Sequence, residues 1–483
     1  MTKVSTGIAG LDELMAGGLP QGHVYLFRGE PGTGKTTMAL QFLTDGQARG
    51  ENGLYVTLSQ TGEELSLVAE AYGFDIGTVA VVDADGVFAS RHKDRQTVID
   101  TGALELEHLL GTLKHQLEEV KPSRFVLDAL IDLRLRALDV LAYRRLFREV
   151  MDMLLTHRTT ALCIDSTPEF GGDSQIAGLV HGVVTLRRAL PGYGIAQRRL
   201  EINKLRGVAH AEGLHDFTIL PTGVRVFPRL SSVRDLDPPS LDTVSTGLDS
   251  LDDLLCGGVS QGTAVLIYGQ TGTGKSTVAS CLVEAAVRRG EAAAVFLFEE
   301  HAKTFIARAE ALGLPLAEAA DSGRLRSFDL RAGEVLPGEF VHKVLDEADQ
   351  AQVQTVVIDS VNGYLTAAAH KDHALAQLNT LVATLRSRQV VTVLVVEQPG
   401  FLTQLSRGLD VSVLSDCMIL LRQYEAQSAI RRSISVIKKR TGPHRVDLCQ
   451  LVLEPGRIAI TPLTEDDLAH MRSLNLMSPQ APV

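Results

Sequence analysis

The chain has no tryptophan, and aromatic residues make up only 5% of its 483 positions. It therefore has no interleaved aromatic ladder of the kind that stacks single-stranded nucleic acid. The formal net charge is −11, so the dense Lys/Arg surplus that general backbone binding requires is absent as well. The five cysteines (Cys163, Cys256, Cys281, Cys417, Cys449) are scattered and form no C-x-x-C pair, which argues against a zinc module or a disulfide framework and fits a reducing compartment. The fourteen histidines contain no H-E-x-x-H spacing. The opening MTKVSTG has no apolar h-region, and the apolar run Val390–Val396 is too short to span a bilayer. These absences predict a soluble, cytoplasmic protein with no membrane partner and no general nucleic-acid affinity.

What the chain does have is a duplication. Residues 4–39 align without a gap to 244–279, with 19 identities in 36 positions. Val4-Ser5-Thr6-Gly7 recurs as Val244-Ser245-Thr246-Gly247, Leu11-Asp12 as Leu251-Asp252, and Gln21-Gly22 as Gln261-Gly262. The polar stretch 231–240 carries Pro238-Pro239, which breaks both helix and strand. It predicts a first domain over 1–230, a linker over 231–240, a second domain over 241–463 and a flexible tail over 464–483. With 45% hydrophobic residues, each half can bury its own core.

Apolar runs alternate with helical patterns in both halves. Ala264 to Tyr268, Ala293 to Phe298, Val353 to Ile358 and Val390 to Val396 read as buried strands, and Thr277 to Arg289 and Leu375 to Arg388 as helices. The predicted fold class is α/β: two tandem domains, each a mostly parallel twisted sheet covered by helices on both faces.

Each domain carries one phosphate-loop signature between a strand and a helix. The first is Gly29-Glu30-Pro31-Gly32-Thr33-Gly34-Lys35-Thr36, followed by Thr37. The second is Gly269-Gln270-Thr271-Gly272-Thr273-Gly274-Lys275-Ser276, followed by Thr277. The glycines let backbone N–H groups face phosphate oxygens at a helix N-terminus. Lys35 and Lys275 can reach the β/γ-phosphates of ATP, and Thr36 and Ser276 can ligate Mg²⁺. Asp128 and Asp359 end apolar strands, where they can hold the same ion or cap the helix that follows.

The two halves differ where hydrolysis needs a base. The strand after the second phosphate loop ends in Glu299-Glu300, whereas its counterpart ends in Ser59-Gln60. Glu can deprotonate water; Ser and Gln are poor bases, although Gln60 could still orient one. Glu63 and Glu64 align with Lys303 and Thr304 and read as first-turn acids of a helix. The expectation is ATP bound in both domains and turned over mainly in the second.

The duplicated S-T-G opening, the paired phosphate loops and the Glu299-Glu300 pair together resemble the KaiC-like group of the RecA superfamily. So do Lys204-Leu205-Arg206-Gly207-Val208-Ala209-His210 and Lys438-Lys439-Arg440-Thr441-Gly442-Pro443-His444. The likeness covers nearly the whole chain. It implies two RecA-like domains, ATPase activity with Mg²⁺, and a homohexamer with nucleotide at protomer interfaces. It implies that Lys204, Arg206, Lys438 and Arg440 reach a neighbour's nucleotide, where a cation supplied in trans stabilises transferring charge; His210 and His444 complete the pattern as candidate nucleotide contacts, with a structural role as their other reading. The alternative is a basic hairpin edge that discourages sheet aggregation. Gly207 is replaced by Thr441, so the second loop departs from the first. The family's autophosphorylated Ser/Thr pair falls on Ser412-Val413, which keeps the serine and loses the threonine; Ser415 is a further hydroxyl nearby, and an ordinary loop serine is the competing reading of Ser412. A KaiB-like or other signalling regulator is the implied partner.

Two rival functions share this core: a DNA-acting recombinase or helicase relative, and a nucleotide-gated partner-binding module. The acidic charge and the lack of a C-x-x-C module weigh against the first. Arg91-His92-Lys93-Asp94-Arg95 and Arg134-Leu135-Arg136 read as solvated clusters, and Glu397-Gln398 as either a sensor of nucleotide state or a satisfied polar pair at a strand end.

Overall fold

The computed structural model describes residues 2–84, 101–166, 176–191, 194–230, 242–366, 368, 370–397, 411–426, 429–464 and 467, with backbone alone at 101–105 and 411. The basic run 91–95, the segment 231–240, Gln398 and most of 464–483 lie outside the described residues. The chain divides into two compact units, 1–190 with 196–229, and 191–195 with 230–483.

Each unit is built on a nine-stranded sheet. In the first the order is 223–227, 215–220, 197–205, 182–189, 24–29, 160–166, 124–128, 53–57 and 80–83. The strands from 182–189 through 80–83 pair in parallel, and the remaining edge is antiparallel. The second sheet runs 325–329, 292–297, 353–359, 391–397, 264–269, 417–426, 429–439, 449–454 and 457–462, parallel through 417–426 and antiparallel beyond it. The sheets are thus mostly parallel, and the structure adds antiparallel hairpins that the apolar-run pattern did not delimit.

Strand alternation explains why the central strands read as continuous apolar runs. Val265 and Ile267 face one buried cluster, and Ala264 and Leu266 face another on the opposite side of the sheet. Helices cover both faces, so successive side chains meet core whichever way they point. The helix over Lys371–Ser387 starts a turn earlier than its apolar pattern predicts, because its first turn carries Lys371, Asp372 and His373. The repeated opening motif is a local clasp. Thr6 N–H and hydroxyl donate to Asp12 Oδ1 at 2.8 and 2.6 Å, and Thr246 donates to Asp252 Oδ1 at 2.8 and 2.7 Å.

Arg124, only 1% exposed, ties the first unit together. Its guanidinium donates to Phe42 O at 2.6 Å, Ser5 O at 3.0 Å and Asp45 Oδ2 at 2.9 Å, and pairs with Glu51. Replacing Arg124 with Met takes the guanidinium from Glu51, leaves Asp45 with Arg49 alone and strands the Phe42 and Ser5 carbonyls. The expected cost is about 1–3 kcal/mol, read as an earlier urea transition of the first domain with the second domain's transition unmoved.

Candidate active site

In both domains the central strand, Val24–Gly29 or Ala264–Gly269, turns through the glycine-rich loop into a helix, Lys35–Ala48 or Lys275–Arg288. The residue before each helix, Gly34 or Gly274, sits at φ 97° or 96°, a left-handed conformation that a β-carbon disfavours. At Gly269 a β-carbon would lie 2.4 Å from Leu421 O, so the loop approaches its neighbouring strand too closely for any other residue. The loop N–H groups and the helix N-terminus form the anion cradle expected of this motif.

The hydroxyls of several loop residues named from sequence are engaged within the protein. Thr33 and Thr273 are fully buried, and their hydroxyls donate to Glu30 O at 2.8 Å and Gln270 O at 2.7 Å. They brace the loop. Thr37 and Thr277 are buried on the helices. Thr271 donates its hydroxyl to Glu397, whose backbone is held in turn by Asn362, with Glu397 N–H donating to Asn362 Oδ1 at 2.7 Å. Gly29, Gly32 and Gly272 complete the cradles, and the Arg432 guanidinium closes over the second by donating to Gly272 O at 3.0 Å.

Lys35 folds onto the loop, donating to Gly29 O at 2.8 Å and Glu30 O at 2.9 Å; Lys275 donates to Gln270 O at 2.8 Å. Burial lowers the pKa of both amines, opposed by nearby carboxylates: Asp128 foremost for Lys35, Glu397 and Asp359 for Lys275. A desolvated ammonium surrounded by loop carbonyls gains strongly from a phosphate anion.

Asp128 and Asp359 are each only 7% exposed at the ends of the neighbouring strands. Thr36 Oγ1 donates to Asp128 Oδ2 at 2.9 Å, and the Tyr55 hydroxyl donates to the same oxygen at 2.6 Å. Tyr55 has no counterpart hydroxyl in the second domain, where Val295 stands. There Ser276 hydrogen-bonds the Asp359 carboxylate, and Asp359 Oδ2 is buried with no partner. Burial pushes the Asp359 pKa up to about 6, with Glu300 and Glu299 adding to the rise. An orphaned buried carboxylate oxygen beside a serine hydroxyl and a phosphate cradle fits a divalent cation shared with a nucleotide. Among the described residues no cluster of three or more His, Cys, Asp or Glu could hold a metal by itself.

Glu299 and Glu300 follow the strand Ala292–Leu297 and lie beside Asp359. Ser360 donates its hydroxyl to Glu299 Oε1 at 2.6 Å, and Arg308 pairs with Glu300 Oε2 at 2.6 Å. In the first domain Gln60 instead closes a turn with Thr57, whose hydroxyl donates to Gln60 O at 2.8 Å. Thr61 and Glu64 form a reciprocal helix cap, so Glu64 serves the helix as the sequence predicts.

Lys204 and Lys438 occupy matching places next to a β-bulge, paired with Val183 and Met418. Within one chain Lys204 Nζ donates to Ala177 O at 2.8 Å and Val180 O at 2.9 Å, and Lys438 Nζ to Ser415 O at 2.7 Å and Ser412 O at 3.1 Å. Arg206 donates to Gly178 O at 2.9 Å, while the Arg440 side chain is exposed. Lys204, Arg206 and Lys438 therefore clamp the loop before the neighbouring strand in their own domain. His210 and His444 are half-buried loop residues. Ser412 is half-buried in the short helix Val411–Leu414, whereas Ser415 is fully buried with its hydroxyl on Ser412 O at 3.0 Å, which removes it as an accessible hydroxyl.

The profile of the family described as "ATPase: KaiC" matches residues 4–231 and again 244–465. The chain belongs to the KaiC family of ATPases. Two RecA-like KaiC domains thus account for both sheets, and ATP is the family's nucleotide. The chain is 27% identical over 473 residues to the circadian clock oscillator protein KaiC of Parathermosynechococcus lividus, covering 95% of this chain and 85% of that protein. It is 28% identical over 465 residues to the circadian clock protein KaiC3 of a Synechocystis species, covering 94% and 90%. It is 28% identical over 455 residues to the KaiC oscillator protein of Synechococcus elongatus, covering 92% and 86%. No described helix of this KaiC-family chain is long and apolar enough to cross a membrane.

The raised Asp359 pKa has a stability consequence. The folded carboxyl titrates near 6 against 3.8 unfolded, so its ionised form costs stability at pH 7, and that cost fades as pH falls from about 6 to 4. In metal-free protein, Asp359→Asn is expected to stabilise the second domain by about 1–3 kcal/mol at pH 7, with the gain vanishing near pH 4 in denaturant titrations. Nucleotide–Mg²⁺ retention by the same variant should fall sharply.

Proposed function

We propose that this chain is a timekeeping or signalling ATPase that binds ATP–Mg²⁺ at both phosphate loops and hydrolyses it mainly at the second. The observation that carries the reading is the carboxylate set Asp359, Glu299 and Glu300 beside Lys275, against Asp128 with Ser59 and Gln60 in the first domain. When bound, Mg²⁺ would be held by Ser276 and Asp359 and would neutralise phosphate charge. Lys275 binds the β/γ-phosphates, and the glutamates take the proton of the attacking water. In the first domain Lys35, Thr36 and Asp128 hold nucleotide without a carboxylate base, so the ligand there is structural or regulatory.

Assembly as a homohexamer with nucleotide at protomer interfaces follows from the family resemblance. Lys204, Arg206 and Lys438 would release their own loop carbonyls and, with the exposed Arg440, reach a neighbour's phosphates, coupling turnover to assembly. A KaiB-like regulator is the corresponding partner, and the cytoplasm the compartment. Ser412 is the hydroxyl proposed to receive phosphate in an autokinase reaction, since Lys438 holds its carbonyl and Ser415 is buried.

Glu299→Gln/Glu300→Gln protein is expected to retain adenine nucleotide but lose most phosphate release, roughly 100-fold or more; retention of most activity would contradict the assignment. Incubation with ATP is expected to add phosphate at Ser412, seen by intact-mass and peptide spectra and absent from Ser412→Ala protein.

A further inference from the structure

The two adjacent glutamates of the second domain are held differently. Ser360 is 1% exposed, and its oxygen accepts Gly363 N–H at 3.3 Å. Its single proton is given to Glu299 Oε1 at 2.6 Å. Glu300 instead meets the Arg308 cation at 2.6 Å. A neutral hydroxyl fixes a carboxylate's direction without cancelling its charge, whereas an arginine ion pair answers that charge.

In the first domain all four positions change together: Ser59 for Glu299, Ala129 for Ser360, Gln60 for Glu300 and Val68 for Arg308. The backbone there is not displaced. Leu58 N–H donates to Asp128 O at 2.6 Å as Phe298 N–H donates to Asp359 O at 2.7 Å. The same strand ends therefore lie side by side in both domains, and only the side-chain pairs differ.

We propose that Ser360 is the positioning residue that holds Glu299 as the water-activating base, leaving Glu300 as the charge-compensated member of the pair. This rests on the reading that the second domain turns over ATP. In the step concerned, a water proton passes to Glu299 while the water oxygen bonds the γ-phosphorus. The bridging P–O bond breaks, and its electron pair leaves on ADP. Glu299 flanks two other carboxylates, so without Ser360 it rotates among positions of which few face the water.

The test is steady-state ATPase of Ser360→Ala, Ser360→Thr, Glu299→Gln and the Ser360→Ala/Glu299→Gln double variant, with bound nucleotide measured as the folding control. Ser360→Ala is expected to lower kcat roughly 10–100-fold with KM and nucleotide content unchanged. Ser360→Thr, which keeps the hydroxyl, is expected to recover most of the loss. In the Glu299→Gln background the Ser360→Ala change should add little, because the two act as one unit. Unchanged kcat in Ser360→Ala, or a full additive loss in the double variant, overturns the positioning role while leaving second-domain turnover standing. Unchanged turnover in Glu299→Gln would overturn Glu299 as the base, and unchanged turnover in Glu299→Gln/Glu300→Gln would overturn second-domain hydrolysis as well.

Discussion

Crowding of like charge governs the second domain's site. Asp359, Glu299 and Glu300 gather at the ends of two neighbouring strands, and the largely buried carboxylate among them is pushed up to about 6. Such a cluster is costly unless each member is answered. Ser360 answers Glu299, Arg308 answers Glu300, and Asp359 keeps an oxygen open beside Ser276 and the phosphate cradle. Lys275, itself desolvated, completes the balance from the other side. The arrangement is poised for a cation and a polyanion together, which is what ATP–Mg²⁺ supplies.

The first domain keeps the scaffold and relaxes the charge. Its loop, helix and strand order match, but Tyr55 and Thr36 both donate to one Asp128 oxygen, whereas Asp359 keeps an oxygen without a partner. The ion-pair chemistry has moved to the far end of the strand, where Arg124 is buried among Asp45, Glu51 and two carbonyls. The first cradle keeps Asp128 and the half-buried Asp165 near Lys35, while the framework of that domain adds the Arg124 ion pairs.

Much of this was legible in the sequence. The duplication, the two phosphate loops and the parallel core strands follow from spacing and from apolar runs that mean burial on both faces. The Glu299-Glu300 contrast with Ser59-Gln60 was visible because it sits at a fixed offset from the loop. The antiparallel edges were harder, since strands such as 429–439 carry charged and hydroxyl residues at most of their positions. The partners of the glutamates were hidden for another reason. Ser360 lies 61 positions from Glu299, and only the register of adjacent parallel strands brings them together. The loss of that hydroxyl at Ala129 was readable, but its meaning was not. Likewise Lys204 and Lys438 read as arms for a neighbour, whereas within one chain each clamps its own loop carbonyls, a contact that leaves no periodic signature.

The central claim is the division of labour between the two cradles, and it is tested most directly by comparing phosphate release from Lys35→Ala and Lys275→Ala proteins of matched nucleotide content in the unmodified site. Most turnover should survive the change at Lys35 and disappear with the change at Lys275. The opposite pattern, with hydrolysis lost at Lys35 and kept at Lys275, would contradict it.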